Sequence, residues 1–245
     1  DFDPTTTPKF TEQPGYISRL DCRNVPIGLT NTASTTSQPI RKTKVNTVNK
    51  DEILDNISEI QSGVIPDFRL QPEQKTAIEH IIGNPGGMTT CVLPTGLGKT
   101  LIAHAAALSS SKSGAGPTLM ISPTISLIDD QRRAWNEFNE AIRKRNSNVQ
   151  SIDIEELKIE FITSEYLNNK EMEISQIFGS ILEGNVDVLC CSPELLFSRN
   201  RGYGFADLIP QMISRGMPSF SNFIFDEAHI LYDWGDSIRP RFLML

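Results

Sequence analysis

The chain has 245 residues, is 38% apolar and carries a formal net charge of −7. That size holds one substantial α/β domain with an extension, and the apolar share suffices for a core. No run approaches the ~20 apolar residues that cross a bilayer, no signal-peptide pattern opens the chain, and Cys22, Cys91, Cys190 and Cys191 show no metal-ligand spacing.

In chain order, residues 1–50 are rich in Thr, Ser, Asn and Pro. The stretch 30–39 (TNTASTTSQP) has almost no apolar side chain to offset the entropy of ordering, so residues 1–50 read as a poorly structured N-terminal extension and linker. Within it, the short segments at Tyr16-Ile17 and Val25-Pro26-Ile27 offer apolar groups for docking on a neighbouring domain. Residues 51–245 are expected to form the main lobe. It opens with a helix over 51–61, where Ile53, Leu54, Ile57 and Ile60 share one face and Asp51 is the expected cap.

A second helix is expected from Pro72 to about Ile82, stopped by Gly83-Asn84-Pro85-Gly86-Gly87. Residues 88–93 (MTTCVL) read as a buried parallel strand, followed by a glycine turn and a helix through Leu101, Ile102, Ala105 and Leu108. Further strands are expected at 118–121, 157–162, 186–191 and 222–225. Helices are expected at 124–145, 171–182 and 203–215, the last interrupted at Pro210, with a polar loop at 146–156. Strands alternating with helices indicate a parallel sheet joined by right-handed crossovers, an α/β fold. Cys190 and Cys191, adjacent on a strand, should face opposite sides of that sheet as reduced thiols of an intracellular protein.

Two stretches carry chemistry. The first is Leu93-Pro94-Thr95-Gly96-Leu97-Gly98-Lys99-Thr100, between a strand and a helix. Thr95, Gly96 and Gly98 allow backbone N–H groups to approach phosphate oxygens, and the helix N-terminus adds partial positive charge. Lys99 is placed to reach the β- and γ-phosphates of ATP, and the Thr100 hydroxyl to ligate Mg2+. The strict pattern opens with Gly where this chain has Leu93. The second stretch is Asp226-Glu227-Ala228-His229, at the end of the last strand. Strand C-terminal ends are where ligands bind in open α/β sheets. Asp226 is the second candidate for Mg2+, Glu227 the candidate for orienting or deprotonating water, and His229 the candidate link to a moving partner. An isolated acidic pair is ordinarily a solvated strand end; its order relative to the lysine loop gives it the functional reading.

Beyond these, the chain resembles the first motor lobe of a superfamily 2 helicase, and within it the RecQ family. The match is carried by 121–131 (ISPTISLIDDQ), 188–196 (VLCCSPELL) and 233–242 (DWGDSIRPRF), collinear over roughly residues 66–245. The last segment is similar to the family's aromatic-rich loop in Trp234, Gly235, Arg239 and Pro240. Phe242 replaces a tyrosine, Asp236 a histidine and Ile238 a phenylalanine. Residues 70–74 (LQPEQ) are similar to the family's "FRPGQ". This makes Gln74 the expected reader of the adenine edge and sets Gln71 where the family stacks an arginine.

The resemblance implies a RecA-like P-loop NTPase fold using ATP and Mg2+. It also implies DNA, single-stranded or at a single-strand/duplex junction, as partner. Pro123, Thr124, Ser126 and Gln131 would lie near one stretch of strand. Thr163, Ser164, Ser192, Pro193 and Glu194 would lie near another, with Trp234 and Arg239 in the aromatic-rich loop. Thr124 and Ser192 have an equal alternative role as helix caps. The net charge of −7 is no bar, since such motors grip DNA through local groups. A second lobe supplying arginine is implied as partner, and a cytoplasmic, nucleoid or nuclear setting follows. The chain opens on Asp1 rather than Met and stops at Leu245, so the expectation is an excerpt that hydrolyses ATP poorly alone. The implied activity is 3′-to-5′ DNA unwinding. A DNA-stimulated translocase that does not separate strands, and a non-hydrolysing ATP-dependent binding module, are the alternatives.

Overall fold

The computed structural model describes residues 17–20, 47–94, 96–148, 154–163, 171–197 and 205–228. Four strands form a parallel sheet: β3 (Thr118–Ile121), β4 (Ile159–Ile162), β5 (Val188–Cys191) and β6 (Asn222–Phe225), in the order β4-β5-β3-β6. In β3, β4 and β5 the side chains alternate between two cores, while β6, at the sheet edge, packs Ile224 inward and leaves Phe223 and Phe225 exposed. Met120, Phe161, Val188 and Cys190 enter one; Leu119, Ile121, Ile162, Leu189 and Cys191 enter the other. The interior strands β3 and β5 are buried on both faces, which needs such apolar runs.

The first core is closed by α1 (Lys50–Ser62), α2 (Pro72–Gly83), α3 (Lys99–Ser113) and α4 (Ile125–Ser147). The second is closed by α5 (Glu171–Leu182), the short α6 (Glu194–Phe197) and α7 (Phe205–Ser214). The result is the expected three-layer α/β architecture, a parallel sheet flanked by helices. Cys190 and Cys191 lie on opposite faces, as expected. Burial, with the charge of Asp226 adding to it, pushes the Cys190 thiol up to about 12, so it is not a nucleophile.

Helix α1 packs on the lobe as its periodicity predicts: Ile53, Ile57 and Ile60 are fully buried, each contributing about 1.5–3 kcal/mol. Its cap is not Asp51 but Asn49, whose side chain accepts from the Asp51 N–H. Asn49 has the extended backbone a cap requires, and Asp51 already lies in the first turn. Arg145 of α4 holds Glu59 of α1 through Nη2 at 2.7 Å.

The strand before the phosphate loop differs from expectation. β2 (Met88–Cys91) is not in the parallel sheet and is not buried. It pairs antiparallel with β1 (Ile17–Leu20), from Ile17↔Cys91 to Leu20↔Met88. The reason lies in its side chains: Thr89 and Thr90 are polar and Met88 is exposed, so the segment lacks the two apolar faces of an interior parallel strand. Thr89 is tied to His80 of α2 at 2.9 Å. β1 belongs to the N-terminal extension; the rest of residues 1–46 lies outside the described residues.

Pro210 does not interrupt α7, which continues from Phe205 to Ser214. One backbone hydrogen bond is lost there, and Leu208 and Met212, both buried in the second core, hold the helix across it. Among the described residues, no helix is long and apolar enough to cross a membrane.

His104 of α3 is buried between Trp135 and Phe138 of α4, with ring centroids 4.2 and 4.4 Å away, and neither ring nitrogen has a hydrogen-bond partner. Burial pushes its pKa from 6.5 down to about 3. The unfolded chain therefore takes up a proton at pH values where the folded chain does not. The His104 contribution is complete above pH 6.5 and declines as pH falls toward 3, by about 1.4 kcal/mol per unit. Urea unfolding at pH 7.5 and pH 5 should show an acid-induced loss of about 2 kcal/mol that His104→Phe removes. Equal pH dependence in wild type and variant would contradict this.

Candidate active site

The site forms where β3 and β6 end together. Their parallel register aligns Ile121 with Phe225, and the next residue on β6, Asp226, donates its backbone N–H to the Ile121 carbonyl at 2.9 Å. The Asp226 carboxylate is held as well. Its Oδ2 accepts from Gln131 Nε2 of α4 at 2.8 Å and from Ser122 Oγ, just past β3, at 3.3 Å. Glu227 follows with φ of +50°, a left-handed backbone that non-glycine residues seldom adopt. Such strain persists where surrounding contacts impose it, and it collects at functional sites.

The glycine loop lies between β2 and α3. Gly96 (φ +84°) and Gly98 (φ +65°) both need glycine's freedom. A Cβ on Gly96 would meet nothing within 4 Å, so the loop is open there. A Cβ on Gly98 would stand 2.7 Å from Gln74 Nε2. Gln74 is buried, and both ends of its amide are engaged. Nε2 donates to the carbonyls of Leu97 (2.9 Å) and Gly98 (3.4 Å), and Oε1 accepts from the Gln71 N–H (2.9 Å). In this conformation Gln74 braces the loop from beneath. Lys99 is exposed and bends back so that Nζ donates to the Leu93 carbonyl at 3.4 Å. The departure at Leu93 thus concerns its buried side chain, while its carbonyl faces the lysine.

Helix α3 begins at Lys99 with no acid in its first turn, so its unpaired N–H groups and Lys99 present undiluted positive charge. The residues fit a magnesium nucleotide. Gly96 leaves room for phosphate, and the hydroxyl of Thr100 and the carboxylate of Asp226 are the hard oxygen donors Mg2+ takes. Among the described residues, no group of three or more His, Cys, Asp or Glu side chains makes a metal site by itself. A cation here would share its shell with phosphate and water, as Mg2+ commonly does.

The segments expected near nucleic acid are placed unevenly. Thr124 caps α4, its Oγ1 accepting from the Leu127 N–H at 3.2 Å and meeting Ser126 Oγ at 3.1 Å. Ser126 is exposed. Pro123, Gln131, Thr163, Ser192 and Pro193 are buried. Gln131 faces Asp226 rather than solvent, and Ser192 Oγ has no hydrogen-bond partner. Their side chains make no surface contact in this conformation. Thr95, Ser164, His229, Trp234 and Arg239 lie outside the described residues.

Two residues of the site escaped the sequence reading: Ser122, and Gln131 in its role toward Asp226. The signal for Gln131 was available. Ile128, Gln131, Trp135, Phe138 and Ile142 recur at helical spacing, so Gln131 falls on the buried face of α4.

A glycine loop opening a helix, with an acidic pair ending a strand of the parallel sheet, defines a phosphate-loop α/β lobe. Residues 71–242 match the family profile described as DEAD/DEAH box helicase, and the chain belongs to that family. Its relatives are RecQ-family helicases. It is 26% identical to the ATP-dependent helicase SGS1 of Saccharomyces cerevisiae over 78% of this chain and 11% of that protein. It is 28% identical to the ATP-dependent DNA helicase RecQ of Synechocystis over 63% of this chain and 26% of that protein. It is 30% identical to human ATP-dependent DNA helicase Q4 over 71% of this chain and 12% of that protein. The chain thus spans between about a tenth and a quarter of the length of these relatives.

Replacing Gly98 tests the loop. Gly98→Ala forces a side chain against Gln74 at a φ of +65° and should weaken binding of a fluorescent ADP roughly tenfold or more, by about 1–2 kcal/mol of strain and displacement. Wild-type affinity in that titration would mean the loop does not hold the nucleotide.

Proposed function

We propose that the chain is the first motor lobe of an ATP-dependent DNA helicase of RecQ type that moves 3′ to 5′ along single-stranded DNA and unwinds duplex ahead of it. The observation that carries this reading is the acidic pair Asp226-Glu227 ending β6, beside Ser122 and α4, in a chain whose family match runs from residue 71 to 242. The relatives' names supply DNA as the polymer acted on.

In this reading Gly96, Gly98, Thr95 and the first turn of α3 hold phosphates through backbone N–H groups. Lys99 swings from the Leu93 carbonyl to the β- and γ-phosphates. Thr100 and Asp226 hold Mg2+, which when bound neutralises phosphate charge and fixes its geometry. Glu227, held in a left-handed turn, orients the attacking water and takes its proton. Gln74 reads the adenine edge, and the bonds of its Nε2 to the Leu97 and Gly98 carbonyls tie that reading to the loop. His229, Trp234 and Arg239 link hydrolysis to the DNA strand, which also runs over Thr124 and Ser126. A second lobe supplies an arginine for transition-state charge, so the 245-residue chain alone should turn over slowly. A cytoplasmic, nucleoid or nuclear setting follows from the DNA substrate.

One sequence feature favours a second reading. Asp236 stands where the resembling family has histidine, and an acid cannot make the same donation to DNA. A DNA-stimulated translocase without strand separation is that reading.

ATP hydrolysis by the full-length protein should rise with single-stranded DNA, and Lys99→Ala and Glu227→Gln should each lower it roughly a hundredfold or more. DNA-independent hydrolysis would overturn the motor reading. Strand displacement on a tailed duplex separates unwinding from translocation alone.

A further inference from the structure

Gln131 does something no surface contact accounts for. It lies in the second turn of α4, and its Nε2 donates to Asp226 Oδ2 at 2.8 Å, across a separation of 95 residues in sequence. The amide orientation is dictated by charge: only the NH2 end can face a carboxylate. Its other end, Oε1, is buried with no hydrogen-bond partner. A buried acceptor left bare is costly, so it is a place where a donor is wanted. That acceptor belongs to the same amide that holds the Asp226 carboxylate, so a donor that satisfies it would lie beside the carboxylate read above as a cation holder. Among the described residues, Gln131 and Ser122 both meet Oδ2 and none meets Oδ1. One carboxylate oxygen is thereby fixed and the other left for a cation.

The same helix reaches the surface at its start. Thr124 caps α4 and Ser126 is exposed one residue into it. Between that end and Gln131 the helix is continuous, with Ile128 fully buried, so the cap and Gln131 sit on one rigid element.

We propose that Gln131 is a positioning residue for Asp226, setting the carboxylate for the divalent cation and linking cation affinity to occupation of the Thr124–Ser126 surface by a nucleic-acid backbone. The inference rests on the readings given above of Asp226 as a metal holder and of Thr124 and Ser126 as a contact for the DNA strand. Linkage makes the effect reciprocal: if DNA at α4 changes cation affinity, the cation changes DNA affinity by the same factor.

The test is Mn2+ binding followed by electron paramagnetic resonance in the presence of ADP, with and without an oligothymidylate. Gln131→Met keeps the side chain's length and removes both amide atoms. It should weaken Mn2+ roughly tenfold, leave ADP affinity in excess chelator unchanged, and abolish the response to oligothymidylate seen in wild type. Ser122→Ala, which removes the longer donor and leaves α4 intact, should weaken Mn2+ in the same direction by less. Wild-type Mn2+ affinity in both variants overturns the positioning role, and a wild-type chain indifferent to oligothymidylate overturns the coupling. Asp226→Asn separates the two levels of failure. If it abolishes Mn2+ binding while Gln131→Met does not, only this inference falls. If it leaves Mn2+ binding intact, the metal assignment of Asp226 falls with it.

Discussion

The hydrogen bond from the Asp226 N–H to the Ile121 carbonyl, 2.9 Å long, is the constraint on which the site depends. It is the last rung of the β3–β6 ladder, and it sets residue 226 beside residue 122 although more than a hundred positions separate them. Parallel strands end on the same edge, so everything that follows β3 and everything that follows β6 must share one surface. The start of α4, with Thr124 and Ser126, comes from the first; Asp226 and the left-handed Glu227 come from the second. The candidate site therefore sits at the sheet's rim because the register of four residue pairs puts its residues there.

Other polar contacts lock that register. Asn222, at the start of β6, donates to Ser110 Oγ of α3 at 2.6 Å and to Thr118 Oγ1 of β3 at 3.2 Å. Asp187, before β5, accepts from Ser111 Oγ of α3 at 2.7 Å and from the Lys158 N–H before β4 at 2.9 Å. These bonds sit at the strands' N-terminal ends, opposite the site. One rim of the sheet is stitched to α3, and the other is left for ligands. Helix α3 is the shared element. It begins at the phosphate loop with Lys99 and ends among those stitches, with Ala105, Ala107 and Leu108 buried along its middle.

Much of this was legible in the residues. Strands 118–121 and 222–225 and helix 171–182 have the bounds their patterns predict, because short apolar runs bounded by polar turns leave few alternatives. The opposed faces of Cys190 and Cys191 follow from the two-residue period of any strand. Partners were harder to read than elements. The run at 88–93 has a strand's character, and its polar Thr89 and Thr90 argue against an interior parallel strand, but nothing local names residues 17–20 as its antiparallel partner. One cap lies two residues earlier than expected, at Asn49 instead of Asp51, while Thr124 caps α4 as its residue type allows. The candidate residues Lys99, Thr100, Asp226 and Glu227 are named by motif spacing alone. The braces behind them are not, because Gln74 on the loop and Gln131 on Asp226 act across distances of 23 and 95 residues.

In the proposed function the glycine loop and the acidic strand end hold one magnesium nucleotide between them. A double-mutant cycle with Lys99→Ala and Asp226→Asn, read by Mg2+-dependent binding of a fluorescent ATP analogue to the chain, measures it directly. Two groups acting on the same bound ligand should be coupled by at least about 0.5 kcal/mol, so the double variant should lose less, or more, than the sum of the single losses. Strictly additive losses would mean that the two stretches act independently, and the account of a single site would be wrong.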